Sequence, residues 1–204
     1  MRDMKYCIDT NIFFSFQKDI NLGKNPEQVM NSILKATQDK DNIFLIPPKI
    51  EEEIVLMLDN TSRKIWSQLA TCMVKKSPQI HTHSIGATLL YEFVNDYRKR
   101  AYDGLKIAED ILVQVAKSPP SPTNRVEFEK SLQPIKESLR NRYRNATRTG
   151  TIDSAADLDL VMLALEEDAV LITADEGVMV WGRKFGVKEM SLSTFGDSIR
   201  KSLS

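Results

Sequence analysis

One hydrophobic pattern constrains this chain more than any other. Ile85, Leu89, Phe93, Tyr97, Ala101, Leu105, Ala108, Leu112 and Val115 recur at steps of three and four residues for about eight turns, which is the spacing of one face of an α-helix. At roughly 1.5 Å per residue such a helix reaches about 45 to 50 Å, longer than a small sheet domain is wide, so it is expected to project. SerProProSerPro at 118–122 must end it. Phe128, Leu132, Ile135, Leu139 and Tyr143 then repeat the stripe as far as Gly150, with a kink expected at Pro134. The two stripes predict a helical hairpin, about 84–117 and 123–148, within an inserted arm that spans 61–149.

The flanking segments alternate strand and helix. MKYCID (4–9) reads as a buried strand ending on a carboxylate, and Asn25-Pro26 starts a helix to about residue 38 carrying Val29 and Ile33 on one face. IFLIPP (43–48) is a short apolar strand stopped by prolines, and Pro48 opens a helix with Ile50, Ile54, Met57 and Leu58 on one side. Leu158, Val161, Met162 and Leu165 mark a helix from Asp153 to Asp168, and AVLIT (169–173) is a buried strand that leads to Asp175. Such alternation predicts a mostly parallel α/β sheet, built from residues 1–60 and 150–204 and covered on both faces by helices.

Charge and composition narrow the function. Lys plus Arg number 28 against 28 Asp plus Glu, so no uniform basic field covers the surface, and 42% hydrophobic residues exclude disorder of the whole chain. No apolar run nears the roughly 20 residues needed to span a bilayer, and the N-terminus lacks a signal-peptide core, so the protein is expected in the cytoplasm without a membrane partner. Cys7 and Cys72 have neither CxxC nor zinc spacing and are expected to be reduced.

The charges are local. Thr151 to Gly182 holds eight acids and no Lys or Arg, while Lys136 to Arg148 holds Lys136, Arg140, Arg142, Arg144 and Arg148 against Glu137 alone. Acids also recur where a parallel sheet presents its C-terminal strand ends, the edge at which ligands bind. Asp9 follows the first strand and Asp175 the last; Asp153 and Asp157 are four apart on one predicted helix face. Asp159 is turned from Asp157 by about 200°. Among Glu51, Glu52 and Glu53, the helical wheel turns Glu52 to solvent and lets the other two flank the apolar face, and Glu53 is the one chosen.

Carboxylates gathered in this way repel one another, and a hard divalent cation such as Mg²⁺ or Mn²⁺ relieves the repulsion. An acidic metal site beside a basic arm suits hydrolysis of a gripped phosphodiester, with Lys136, Arg140, Arg142, Arg144 and Arg148 on the phosphates. The plain alternatives are that an Asp after a strand caps the next helix, that acids favour helix N-termini, and that the basic run is a solvated face. HisThrHis at 81–83 has no third metal ligand near it in sequence. There is no P-loop, no dinucleotide glycine fingerprint, no second aspartate of the haloacid-dehalogenase type after Asp9, and no partnered Ser or Cys nucleophile.

CysIleAspThrAsn (7–11), the ProPro-led helix with Glu53, AspSerAlaAlaAsp (153–157) and LeuIleThrAlaAspGlu (171–176) resemble the four acidic motifs of PIN-domain ribonucleases. With the long hairpin, the chain resembles the minimal prokaryotic protein-only ribonuclease P, the HARP type, also called the RNA ligase partner protein family. The resemblance implies a PIN-like, Rossmann-like α/β/α fold and removal of the 5′ leader from precursor tRNA. It further implies catalytic acids at Asp9, Asp153, Asp157 and Asp175, with Asp159 in the same motif. It also implies dimers formed through the arm that assemble into larger, dodecamer-like particles. Two other functions stay open: a toxin-type PIN endoribonuclease acting on other RNA, and a non-catalytic RNA-binding or assembly protein.

Overall fold

The computed structural model describes residues 4–14, 21–38, 41–79, 84–117 and 124–202. The HisThrHis at 81–83 and the SerProProSerPro break lie outside the described residues. The chain divides into two compact units, Met1–His83 with Gly150–Ser204, and Ser84–Thr149.

In the first unit the order is β1 (Met4–Ile8), α1 (Asn11–Phe14), α2 (Pro26–Ala36), β2 (Asn42–Ile46), α3 (Pro48–Met57), α4 (Asn60–Cys72) and β3 (Val74–Lys75). After the insert the unit resumes with α7 (Ala155–Glu166), β4 (Val170–Ile172), α8 (Glu176–Lys184), β5 (Glu189–Met190) and α9 (Leu192–Ser202). The five strands form one sheet in the order β3-β2-β1-β4-β5, and every pairing is parallel. Helices α2, α4 and α9 pack together, as do α3, α7 and α8, which gives the three-layer α/β/α arrangement of a PIN domain. Successive crossovers step outward from β1 toward β3, then from β4 toward β5, so the direction reverses between β1 and β4. In open α/β sheets, ligands bind outside the C-terminal strand ends at such a reversal.

Why these residues fold this way is local. Asn25 accepts from the Gln28 N–H and Pro26 occupies the first turn of α2, where its missing N–H costs nothing. Cys7 and Ile8 in β1, Leu45 and Ile46 in β2, and Leu171 and Ile172 in β4 are buried on both faces, as a covered parallel sheet requires. Tyr6 stacks on Phe44 at 5.5 Å and meets Phe195 of α9 edge-on at 5.3 Å, closing one layer over the sheet. Cys7 is a buried free thiol and Cys72 an exposed one.

The sequence puts the start of the insert after residue 60, and the structure moves it to 83. Helix α4 buries Trp66, Leu69 and Ala70 and packs on α2, while β3 adds a parallel edge strand to β2. The stretch 61–79 thus completes the sheet unit.

The second unit is the helical hairpin, α5 (Ala87–Lys117) and α6 (Arg125–Arg148), which runs through Pro134 as one helix. Asn124 caps α6 by accepting from the Glu127 N–H at 3.0 Å. The helices approach closely at Gly104, where a Cβ would stand 2.7 Å from the Tyr143 ring. Arg100 fastens the hairpin by donating to Asp96 at 2.7 Å and to the Thr149 carbonyl at 2.8 Å. Among the described residues, no helix is long and apolar enough to cross a membrane.

Candidate active site

The acids gather where the sheet reverses direction. Asp9 immediately follows β1, and its N–H donates to the Ile172 carbonyl at 3.1 Å, extending the β1–β4 ladder by one residue. Asp175 follows β4 and caps α8, with Oδ1 accepting from the Val178 N–H at 3.0 Å. Because α7 runs back along the sheet before β4, its N-terminus lies at the same edge. Ser154 is its cap, and Ser154 Oγ accepts from the Asp157 N–H at 3.0 Å.

This cap corrects one expectation drawn from the spacing of the acids. The helix starts at Ala155, so Asp153 precedes the cap and does not share a helical face with Asp157. A tight approach holds the Asp153 segment instead. A Cβ at Gly177, in the first turn of α8, would come within 2.2 Å of the Thr151 carbonyl oxygen, so only glycine lets this backbone lie against α8.

Burial and mutual repulsion set the electrostatics. Asp9 is 5% exposed, and its carboxyl is pushed up to about 7. Burial is the main cause, and the charges of Asp157 and Asp175 add to it against hydrogen bonds from Thr173 and Thr10. Asp157 is also raised, first by burial and then by Asp153, Asp175 and Glu53, against a bond from Ser154. Five acids named from sequence, Asp9, Glu53, Asp153, Asp157 and Asp175, therefore act within one field.

The three consecutive glutamates separate clearly. Glu53 accepts from Thr10 Oγ1 at 3.3 Å, beside Asp9, and its charge bears on Asp157. Glu51 is drawn off to Lys75 at 2.6 Å, and Glu52 is exposed. Asp159 pairs with Lys49 at 2.7 Å. On the hairpin, Lys136, Arg140, Arg142, Arg144 and Arg148 are all exposed, and Arg142 meets Asp110 of α5 at 2.7 Å.

Uncharged residues complete the site, and an inspection of the sequence for carboxylates passes over them. Asn11 Nδ2 donates to Asp9 Oδ2 at 2.6 Å and to Thr173 Oγ1 at 3.1 Å, while Asn11 Oδ1 accepts from the Ala174 N–H at 2.8 Å. Thr173 Oγ1 donates to Asp9 Oδ2 and accepts from the Asp175 N–H at 2.9 Å. Their signal in the sequence is their place in the acidic motifs: Asn11 ends CysIleAspThrAsn two residues after Asp9, and Thr173 stands in LeuIleThrAlaAspGlu two residues before Asp175.

The donor set is carboxylate oxygen without histidine or thiolate, which fits a hard divalent cation. Among the described residues no group of three or more His, Cys, Asp or Glu side chains already forms a metal-holding cluster. The acids lie within reach of one another's charge without a closed ligand shell.

Residues 5–204 match the PINc domain ribonuclease family. The chain is 31% identical over 194 residues to the RNA-free ribonuclease P of Thermococcus kodakarensis, a match covering 94% of this chain and 92% of that protein. It is 30% identical over 210 residues to the RNA-free ribonuclease P of Methanocaldococcus jannaschii, covering 96% and 90%. With the RNA-free ribonuclease P of Thermodesulfovibrio yellowstonii the identity is 31% over 194 residues, covering 95% and 92%. Matched along nearly its whole length by both, this chain belongs to the PINc domain ribonucleases, in the family of RNA-free ribonuclease P proteins.

Proposed function

We propose that this protein is a metal-dependent endoribonuclease that removes the 5′ leader from precursor tRNA without an RNA subunit. The observation that carries the reading is the match, over nine-tenths or more of each chain, to relatives named RNA-free ribonuclease P. The acid field at the sheet's reversal supports it.

In this reading Asp9, Asp157, Asp175 and Asp153 hold Mg²⁺ or Mn²⁺, with Glu53 at the rim and Asp159 left to its Lys49 pair. The bound ion supplies a water of lowered pKa and neutralises charge on the phosphate. The chain's own residues do the rest. Asp9, buried and repelled by Asp157 and Asp175, binds a cation in preference to standing as a bare carboxylate. Asp157 presents its carboxylate from a capped first turn, which keeps it fixed as the substrate arrives.

The hairpin, 84–149, serves substrate and assembly. Lys136, Arg140, Arg142, Arg144 and Arg148 bind tRNA phosphates, where charge and not base identity sets affinity. The exposed apolar residues of α5, Tyr91, Val94, Tyr97 and Leu112 among them, supply the surface through which dimers and a larger, dodecamer-like homo-oligomer form. Acting on precursor tRNA, the enzyme works in the cytoplasm.

Incubating the protein with precursor tRNA carrying a labelled 5′ leader, in Mg²⁺ and in EDTA, tests the function. We expect one cut at the mature 5′ end in Mg²⁺ and none in EDTA. The Asp157→Asn variant should lose on the order of 10³-fold in rate and keep its tRNA affinity. Cuts elsewhere would instead mark a toxin-type PIN endoribonuclease, and no cut in any metal an RNA-binding or assembly protein.

A further inference from the structure

We propose that Asn11 is a positioning residue of the nuclease site, which with Thr173 fixes how far apart the carboxylates of Asp9 and Asp175 stand. The inference rests on the metal-dependent reading above and adds two uncharged residues to it.

Donors and acceptors at this point can be matched one by one. Asn11 has two N–H donors on Nδ2, and they go to Asp9 Oδ2 and Thr173 Oγ1. Its oxygen accepts from the Ala174 N–H. Turning the amide over would set its oxygen against the Asp9 carboxylate and its NH₂ against the Ala174 N–H, so the partners allow one orientation. The Thr173 hydroxyl is equally determined. Two of its three partners, Asn11 Nδ2 and the Asp175 N–H, are donors, so its single hydrogen goes to Asp9.

The result is a bridge across the two strand ends that flank the reversal of the sheet. One oxygen of Asp9 is held by two donors, and both donors also bind the turn Thr173–Asp175 that carries the second acid. Asp9 is buried, whereas Asp175 is exposed at a helix start. Without the bridge, the separation of the two carboxylates is left to a short turn. A hard cation of fixed radius binds most tightly when its ligands are held at the right separation in advance.

The test measures binding of Mn²⁺ alone by calorimetry, and single-turnover cleavage of precursor tRNA, for the full-length parent and for Asn11→Ala, Thr173→Val and Thr173→Ser. We expect Asn11→Ala and Thr173→Val to weaken Mn²⁺ binding by about 10- to 100-fold and to slow cleavage at limiting metal by a similar factor. Affinity for tRNA should stay within about twofold, because neither side chain carries a charge to set against phosphate. Thr173→Ser keeps the hydroxyl and should return Mn²⁺ affinity to within about threefold of the parent. Parental Mn²⁺ affinity in either Asn11→Ala or Thr173→Val would overturn the inference. So would a Thr173→Ser variant as impaired as Thr173→Val, since shape and not the hydroxyl would then be what matters. If Asn11→Ala does not fold, the two Thr173 variants decide alone. A parent that binds Mn²⁺ with this pattern yet leaves precursor tRNA intact would break the proposed function and leave the bridge standing.

Discussion

The sheet unit and the helical hairpin carry apolar residues at equally regular spacing and treat them in opposite ways. In the sheet unit Ile33, Phe44, Leu160 and Phe195 are fully enclosed. In the hairpin, α5 buries Gly104 and Ile111 among its 31 residues, and α6 buries none. Leu90, Tyr91, Val94, Tyr97, Leu105 and Leu112 are all more than half exposed. Periodicity thus specifies which residues share a face, and the presence of a covering layer decides whether that face is dry. The sheet unit supplies its own cover, and two antiparallel helices cannot.

Truncation of one residue in each region tests that contrast most forcefully. Phe195→Ala should cost about 3 to 5 kcal/mol at any protein concentration, because it opens a cavity in a closed core. Leu112→Ala, at a site 70% exposed within the chain, should cost less than about 0.5 kcal/mol in dilute solution. Its cost should grow with concentration if the stripe joins copies of the chain. Urea unfolding at two protein concentrations measures both. A Leu112 effect that does not respond to concentration would put the subunit interface on another surface.

A smaller effect separates the units by pH. With its carboxyl near 7 in the folded state against an ordinary value of 3.8, Asp9 keeps a proton that the unfolded chain has released. Stability in EDTA should therefore fall as pH rises from about 4 to about 7, and level off above. Asp157 is shifted in the same direction and adds to the trend. Asp9→Asn should remove the larger share and make the metal-free protein more stable at pH 8 by about 1 to 3 kcal/mol, less than the full shift implies because the amide loses an acceptor. An Asn variant that loses as much stability between pH 5 and pH 8 as the parent would show that Asp9 is not the source. The acids whose charges produce this trend, Asp153, Asp157, Asp175 and Glu53, all lie in the sheet unit.

Much of this fold is legible from the chain alone, for a physical reason. Strands buried on both faces are continuous apolar runs, and MKYCI, NIFLI and VLI announce themselves, as does the Asn25-Pro26 helix start. The acids are legible because strand ends and helix caps are local features. Strands β3 and β5, two residues each, carry no period to detect, which is why 61–79 reads as part of the insert until β3 is seen to pair with β2. The place of Asp153 within its element is ambiguous for a similar cause. Both Asp153 and Ser154 can begin a helix, and only the observed bond from the Asp157 N–H selects Ser154. Asn11 and Thr173 stand within the quoted motifs, but the bonds between them exist only once β1 and β4 are neighbours.

The smallest expected effect concerns the hairpin's basic face, where sequence counts charges and structure weighs them. Removing a side chain that neutralises one phosphate should reduce the slope of log affinity against log salt by about one unit. Arg142 differs from a simple phosphate ligand because it already meets Asp110 at 2.7 Å. To engage RNA it must share its guanidinium or leave that carboxylate, and either course lowers its net contribution. Arg142→Ala should therefore reduce the slope by less than one unit, and Asp110→Asn should raise affinity slightly by releasing the arginine. Filter binding of tRNA across a salt series reads both. A drop of a full unit on Arg142→Ala, with no response to Asp110→Asn, would mean that the ion pair dissolves when tRNA binds and that the five basic residues act as equals.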